Sequence, residues 1–212
     1  MNGKTVMECI DAAYAALKEH TDEIAVLDQQ IGDGDHIFNL LRGMEALLAL
    51  RADIEGKTFG AALELAANKV LSTVGGSSGP LFFSLLHGMA KASANTPLDI
   101  AGTALMFAAG VEAVAQRGKT GVGSKTMMDV LIPVAERFKE LAAVESPALR
   151  KAVLDELPQV AEQNMLATRD MLATKGRASF LGERSRGHID PGARSSQIMI
   201  TAVCAHLARN PV

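Results

Sequence analysis

The sequence predicts an all-α fold, with eight helices arranged as an antiparallel up-and-down barrel or bundle. Apolar residues recur at steps of three and four along most of the chain, which is the spacing of one helix face. No run of β-branched residues alternates with polar ones between turn residues, as a strand would require. The connections between helical stretches are mostly short, which favours antiparallel neighbours.

Apolar spacing and residues typical of helix ends define the first four helices. An apolar residue recurs every three or four positions over 6–17, and again over 40–48 on a second helix. A polar segment with two glycines at 28–35 separates these helices. Thr58 is suited to cap the third helix, and Pro80 suits the first turn of the fourth.

Four further helices fill the second half of the chain. The fifth is predicted over about 98–115 and the sixth over about 130–141, with a glycine-containing break between them. Ser146, which a proline follows, is expected to be the N-cap of the seventh helix. Pro158 is expected to kink or divide that helix. The eighth helix covers about 192–207.

Composition limits the classes of protein. The 212 residues are 48% hydrophobic and 21% charged, which suits one globular domain over 1–212. A net charge of −3 and the absence of Trp argue against nucleic-acid binding. No window approaches about 18 uninterrupted apolar residues, which argues against membrane insertion. A signal peptide is not expected, and Cys9 and Cys204 form no Cys-x-x-Cys pair, so we predict a cytoplasmic protein without disulfides.

Three carboxylates, those of Asp28, Asp33 and Asp35, lie close together in the sequence between the first two helices. Like charges at this spacing repel one another unless a cation neutralises them. Oxygen ligands without cysteine suit Mg²⁺ or Ca²⁺, but Ile37 and Met44 stand where an EF-hand loop needs ligands. The segment therefore favours Mg²⁺ bound together with a nucleotide phosphate. A polar turn with helix caps is the alternative.

A glycine- and serine-rich segment at 75–80 stands at the start of the fourth helix. Free backbone N–H groups and the helix dipole favour an anion at such a position. The hydroxyls of Ser77 and Ser78 add hydrogen-bond donors. The segment is therefore a candidate phosphate site, with an ordinary helix cap as the alternative.

The connection at 175–191 is unusually long for a compact domain, and it is charged and rich in glycine. Loops of this length are usually functional or disordered, and its specific composition favours function. Arg177, Arg184 and Arg186 can offer guanidinium groups to a phosphate. Met127, at the predicted start of the sixth helix, is either an apolar wall for an adenine ring or a core residue.

Four motifs follow one another along the chain: Asp28-x4-Asp33-Gly34-Asp35-His36-x2-Asn39, Gly75-Gly76-Ser77-Ser78-Gly79-Pro80-Leu81, Lys125-Thr126-Met127-Met128-Asp129, and the loop from Lys175 through His188-x-Asp190-Pro191-Gly192-Ala193. Together they resemble the motifs of the nucleotide-binding L subunit of dihydroxyacetone kinases, the DAK2 domain family. The resemblance spans nearly the whole chain. It implies a barrel of eight antiparallel helices with ADP or ATP and two Mg²⁺ ions at one rim.

The resemblance also implies roles for individual residues. Asp28, Asp33 and Asp35 match the metal-binding aspartates, which act in catalysis through the metal. The positions expected around the nucleotide are His36, Ile37, Phe38, Asn39, Ser77, Ser78, Gly118, Met127, Arg177, Asp190, Pro191 and Gly192. The chain departs from the family at Ile37 and Phe38, where a glycine commonly follows the histidine, and at Ser124, where an acidic residue is often found.

By this resemblance the chain is a kinase subunit that transfers a phosphoryl group from a magnesium nucleotide to a short keto sugar. The sugar, dihydroxyacetone or a similar compound, is expected on a separate K-type subunit. Two modes stay open: bound ADP that a phosphotransferase-system protein rephosphorylates, or ATP that exchanges freely. The alternative function is a non-catalytic nucleotide-sensing module that docks on a regulator or another partner protein.

Overall fold

The computed structural model describes residues 1–210, and within them it contains ten α-helices and no β-strand. The helices are α1 (Gly3–Glu19), α2 (Thr21–Ile31), α3 (His36–Leu48), α4 (Arg51–Glu55), α5 (Phe59–Thr73), α6 (Ser78–Ser93), α7 (Ile100–Gly118), α8 (Met128–Ala142), α9 (Leu149–Ala167) and α10 (Pro191–Arg209). Two 3₁₀ helices cover Thr168–Asp170 and Arg177–Ser185. The all-α prediction is confirmed. None of the helices over 1–210 is both long and apolar enough to cross a membrane.

Eight of the ten helices contact one another in a closed cycle. The order is α1, α3, α5, α6, α7, α8, α9 and α10, and α10 returns to α1. Helix α2 contacts α3 and α10, and α4 contacts α1 and α5. A closed cycle is the contact pattern that a helical barrel requires. The alternating direction of its helices stays a prediction.

The apolar faces of these eight helices meet in the interior. Buried residues form one large cluster and a second one among α7, α8, α9 and α10. Helices α6 and α7 approach closely where Gly88 faces Gly110. A Cβ at Gly88 would lie only 2.9 Å from the Cα of Gly110. A cavity of about 360 Å³ remains between the helices, lined by apolar side chains from all eight. Most residues on the faces predicted from spacing are buried or half-buried, but Leu105, expected on the inner face of the fifth helix, is 57% exposed.

The prediction of eight helices is wrong for two short elements. Helix α2 follows α1 after the single residue His20 (φ −107°, ψ 15°), and apolar spacing does not mark so brief a break. Residues 28–31 are consequently helical, so the polar interruption predicted at 28–35 begins only at Gly32. Helix α4 has five residues, too few to show a helical period.

The predictions for the seventh helix are also partly wrong. Helix α9 continues through Pro158 to Ala167, so the proline does not divide it. Buried apolar residues on both sides of Pro158 pack against α8 and α10, and this packing retains the helix despite the missing N–H. Ala148 is the N-cap, whereas Ser146 Oγ accepts a 3.2 Å hydrogen bond from the Ala148 N–H in the preceding turn.

Candidate functional site

Three carboxylates meet at the junction of α2 and α3. Asp28 is buried in the last turn of α2, and Asp33 and Asp35 are exposed on the turn that follows. One oxygen of each lies within 4.8 Å of the corresponding oxygens of the other two. Asp28 Oδ2 also accepts a 3.0 Å hydrogen bond from the backbone N–H of His36, the first residue of α3. This bond ties the buried carboxylate to the far side of the turn.

Two glycines allow the turn to bring the carboxylates together. A Cβ at Gly32 would overlap Asp28 Oδ1 and would lie 2.9 Å from the Asp28 carbonyl oxygen. Gly34 has a φ of +78°, a left-handed conformation that other residues rarely adopt. The acidic turn therefore depends on the small residues between its carboxylates as well as on the carboxylates themselves.

The oxygen cluster fits Mg²⁺. Because Mg–O distances are about 2.1 Å, two oxygens on one ion lie about 3 Å apart when adjacent and about 4.2 Å apart when opposite. A spread of up to 4.8 Å therefore needs only a small inward movement. Carboxylate oxygens are also the ligands that this hard cation prefers. The role of Asp28, Asp33 and Asp35 as metal ligands stays a prediction.

The long loop returns to the acidic turn through Arg177. Its Nη2 lies 2.8 Å from Asp33 Oδ2, and its side chain is 65% exposed, so the guanidinium stands at the mouth of the cluster. The loop contains short 3₁₀ turns over Arg177–Ser185, which are interrupted by a kink at Gly182 (φ +56°), and its Ala178 packs against Ile31. Arg186 pairs with Glu183 within the loop. The structure thus brings Arg177 to the site and uses Arg186 locally.

The starts of four helices converge beside the carboxylates. The Nδ1 of His36, at the start of α3, lies 3.4 Å from the Oγ of Ser78, the first residue of α6. The Nε2 of His36 lies 2.9 Å from the Oγ of Ser195, near the start of α10. Met127, the N-cap residue of α8, lies against Gly192 of α10. Free N–H groups and dipoles at such helix ends favour a polyanion.

His36 links three of these helices. Burial lowers its pKa, although the charges of Asp28 and Asp35 act to raise it. A neutral imidazole has one donor nitrogen and one acceptor nitrogen, and each ring nitrogen here faces a serine hydroxyl. Sequence reasoning did not single out Ser195, because one serine inside a helix carries no signal of its own. Ser77, by contrast, is exposed at the N-cap position of α6.

Asn39 is held in one orientation by Arg42, a residue that sequence reasoning also missed. The Arg42 Nη2 donates to Asn39 Oδ1, and its Nε donates to the Thr73 carbonyl at 3.1 Å. Because Arg42 binds the oxygen of the Asn39 amide, the NH₂ group is free to donate elsewhere. Asn39 Nδ2 lies 4.0 Å from the Cβ position of Gly76. The donor therefore faces the glycine-rich segment that precedes α6.

Ile37 and Phe38, the two departures from the family pattern, have opposite surroundings. Ile37 is fully buried in the core, so only its backbone is available to a nucleotide. Phe38 is 55% exposed. The helix accommodates both residues because it turns one side chain inward and the other outward.

Most of the remaining predicted residues lie at the start of α10, whereas Gly118 ends α7, where an added Cβ would lie 3.5 Å from Leu81 of α6. Pro191 is the first residue of α10, and Asp190 is its N-cap. A Cβ at Gly192 would lie 3.5 Å from the Cβ of Met127. Met127 belongs to the core cluster and also borders Gly192, so the structure leaves both interpretations of this residue in place.

Asp190 is a buried acid with an altered pKa. Burial raises its pKa from 3.8 to about 7; the bond from the Ala193 N–H opposes this rise, and the charges of Asp129 and Asp28 add to it. The Asp190 Oδ2 accepts that hydrogen bond at 2.7 Å, which caps α10. The side chain is therefore held in place as a cap whether or not it is ionised.

We expect Asp190 to make the ligand-free chain less stable as the pH rises from about 4 to about 7, whereas the lowered pKa of His36 acts in the opposite direction. Asp190 ionises near pH 4 when unfolded, but its folded pKa is about 7, so the unfolded state binds fewer protons in this window. This group contributes a slope of at most about 1.4 kcal/mol per pH unit. Asp190→Asn, which keeps a capping side chain, should flatten the slope in urea unfolding. Equal slopes for the two proteins would contradict the raised pKa.

Comparisons with known proteins agree on one family. The model of the DAK2 domain matches residues 30–205. The PEP-dependent dihydroxyacetone kinase 1, ADP-binding subunit DhaL, of Listeria innocua is 38% identical over 187 residues, which is 88% of each chain. The PEP-dependent subunit of Escherichia coli is 39% identical over 82% of each chain, and the PTS-dependent subunit of Lactococcus lactis is 39% identical over 91% of each chain.

A solved structure shares the fold. The dihydroxyacetone kinase of C. freundii, in complex with AMP-PNP and Mg²⁺, superposes with a TM-score of 0.72 at 18% identity. The match covers 94% of this chain, which spans about a third (33%) of the length of that kinase chain. At this identity the likeness supports the fold, and the family rests on the sequence matches.

Proposed function

The chain belongs to the DAK2 domain family, and we propose on this basis that it is the ADP-binding subunit of a dihydroxyacetone kinase. As such it is a phosphotransferase component that works with a partner subunit. The three relatives named above carry this function in their names and match most of the chain.

The observation that carries the proposal is the meeting of Asp28, Asp33 and Asp35 with the starts of four helices. Carboxylates alone repel a phosphate, and the positive ends of helix dipoles repel a metal ion. Side by side, the two features suit a polyphosphate that carries its own divalent cation. We therefore assign this end of the helices to a magnesium nucleotide.

The groups at this end of the helices would each contribute to binding the magnesium nucleotide. The three aspartates would bind two Mg²⁺ ions, which neutralise phosphate charge and polarise phosphate oxygens when bound. Backbone N–H groups at the starts of α3 and α6 would donate to phosphate oxygens, as would the NH₂ of Asn39. Arg177 would offer its guanidinium fork to the same oxygens. Positioning and charge neutralisation are the main contributions of a protein to phosphoryl transfer.

We propose that the keto sugar binds to a second, K-type subunit. We also propose that a phosphodonor protein rephosphorylates the ADP that stays bound to this chain. The relatives are named ADP-binding subunits of kinases that depend on PEP or PTS, which supports recharging over free exchange of ATP. The alternative of a nucleotide-sensing module without turnover is not favoured, because these relatives are named as kinase subunits. A cytoplasmic location stays a prediction.

Calorimetry of the purified chain, after any retained nucleotide has been removed with EDTA, is expected to show that ADP binds in the presence of Mg²⁺ and far more weakly in its absence. The reason is that the acidic cluster repels a polyphosphate unless cations lie between them. A titration of Mg²⁺ against the same ADP concentration gives the number of ions bound per nucleotide. If Mg²⁺ and ADP together do not bind, the proposal fails.

A transfer assay separates the two modes. The chain is mixed with a K-type subunit, dihydroxyacetone and a phosphotransferase-system phosphodonor, and labelled phosphate is followed to the sugar. We expect transfer without added nucleotide, because ADP retained through purification is recharged on the chain. Transfer that requires added ATP would replace the recharging mode by free exchange.

A further inference from the structure

Lys125 is a fully buried cation outside the predicted site residues. Its relative exposure is 0%, and it lies in the turn before α8 with a φ of +58°. The Nζ donates to the carbonyl of Thr168 at 2.5 Å, to that of Arg169 at 3.4 Å, and to that of His188. An ammonium group has three N–H donors, so three backbone carbonyls satisfy it.

These carbonyls belong to the two ends of one loop. Thr168 and Arg169 follow α9, and His188 precedes α10, so Lys125 connects the start of the loop with its end. The ends also bind each other directly, since the Gly187 N–H donates to the Arg169 carbonyl at 2.8 Å. The Asp190 N–H donates to Thr168 Oγ1 at 3.1 Å. Both ends are therefore fixed around one buried ammonium group.

The loop between these ends carries groups of the candidate nucleotide site. Arg177, in its middle, contacts Asp33. Its end leads directly into the N-cap residue Asp190 and into Gly192, which lies against Met127. A displacement of either end would therefore move Arg177 or the start of α10 away from the carboxylates.

Burial of this ammonium group is costly, and its surroundings explain how it is tolerated. Desolvation lowers the pKa of Lys125; Asp190, Asp170 and Asp129 raise it, and Arg186 lowers it. A left-handed backbone is also uncommon for a residue with a side chain and persists only where the surroundings hold it. A buried lysine in a disfavoured backbone conformation indicates a specific task for the side chain.

We infer that Lys125 is a positioning residue for the nucleotide: it fixes both ends of the 168–190 loop and thereby holds Arg177 and the start of α10 at the site. The inference rests on the proposed function. Lys125 itself touches no site carboxylate, and it acts through the backbone of the loop.

Lys125→Met tests this role, because methionine has a similar length and no N–H donor. We expect the release of Mg-ADP to be at least about tenfold faster than from the wild-type protein, measured by displacement with a fluorescent ADP analogue. Hydrogen exchange of the ligand-free protein should increase over 170–190 and stay unchanged in α5 and α6. Lys125→Gln keeps an NH₂ donor, should give an intermediate release rate, and serves in the same assays if Lys125→Met does not fold.

Two control variants separate positioning from general loss of stability. Lys139→Met makes the same chemical change at an exposed position of α8 and should leave release and exchange unchanged. Val153→Ala removes buried atoms near the start of α9, 15 residues before Thr168 and about 22 Å away along the helix. It should lower the urea midpoint without faster release of Mg-ADP.

The outcomes distinguish this inference from the function on which it rests. Failure of the wild-type protein to bind Mg-ADP would overturn the proposed function. Wild-type binding with unchanged release from the Lys125 variants, or release from Val153→Ala that is as fast as theirs, would overturn the inference alone.

Discussion

Asp33→Asn is expected to lower phosphoryl transfer at least about 100-fold while the chain remains folded. Asp33 is one of the two exposed carboxylates of the cluster; its Oδ2 lies 2.8 Å from Arg177 Nη2, and one of its oxygens lies within 4.8 Å of an oxygen of each acidic neighbour. An amide oxygen is a weaker ligand than a carboxylate and brings no negative charge. The site would therefore lose both a strong ligand and the charge that retains Mg²⁺.

The effect on folding is expected to be small, because two contributions oppose each other. The change removes repulsion between Asp33 and the carboxylates of Asp28 and Asp35 in the metal-free chain. It also removes an exposed ion pair with Arg177, and such pairs contribute about 0–1 kcal/mol. The free energy of unfolding without Mg²⁺ should therefore change by less than about 1 kcal/mol.

Asp155→Asn is the matched control for Asp33→Asn. Asp155 is exposed and pairs with Lys151 on α9, so this variant makes the same chemical change at another exposed ion pair. Transfer assays with the partner subunit should show a loss of activity for Asp33→Asn alone. Urea unfolding in EDTA should show that both variants remain folded. Full transfer activity in Asp33→Asn would make the metal assignment wrong.

Gly32→Ala should disrupt the same site without changing any ligand. The added Cβ would overlap Asp28 Oδ1 and approach the Asp28 carbonyl oxygen to 2.9 Å, so the carboxylate must move. Asp28 Oδ2 also holds the N–H of His36, and a moved carboxylate therefore disturbs the start of α3. We expect Mg-ADP affinity to fall at least about tenfold and the free energy of unfolding to fall by about 1–3 kcal/mol.

Gly56→Ala provides the comparison, since its Cβ would meet only the Ala52 carbonyl oxygen, at an ordinary 3.8 Å. Calorimetry with Mg²⁺ and ADP, together with urea unfolding, should separate the two variants clearly. A Gly32→Ala protein that binds Mg-ADP like the wild type would show that Asp28 tolerates displacement. The affinity for Mg-ADP would then not depend on the position of the buried Asp28 carboxylate.

Most of the fold was predictable because helices that face a core repeat their apolar residues at a helical period. The helix with apolar residues over 40–48 was expected and is α3, and the predicted eighth helix is α10. Helix α4 was not predicted because a helix of about one turn shows no apolar period. The break at His20 was not predicted because it occupies one residue. Pro158 misled for a different reason: packing around α9 outweighs the loss of one hydrogen bond.

Some residues of the candidate site could be predicted from the sequence, and others could not. The aspartates and the serine pair stand in short, unusual segments, so their spacing alone singled them out. Ser195 and Arg42 are ordinary residues within helices, and only their contacts with His36 and Asn39 give them a place. Lys125 was visible as part of a motif, but its spacing could not show that its ammonium group would bind the loop at both ends.

The sequence by itself determined that the chain is helical, that three carboxylates lie within eight residues, and that its motifs match one family. These are local properties, set by periodicity, charge density and residue type over a few positions. Only the tertiary structure decided which distant segments meet: Arg177 at Asp33, Ser78 and Ser195 at His36, and two loop ends at one buried lysine. Such meetings depend on how all the helices pack around a shared core, and short-range sequence patterns do not record that packing.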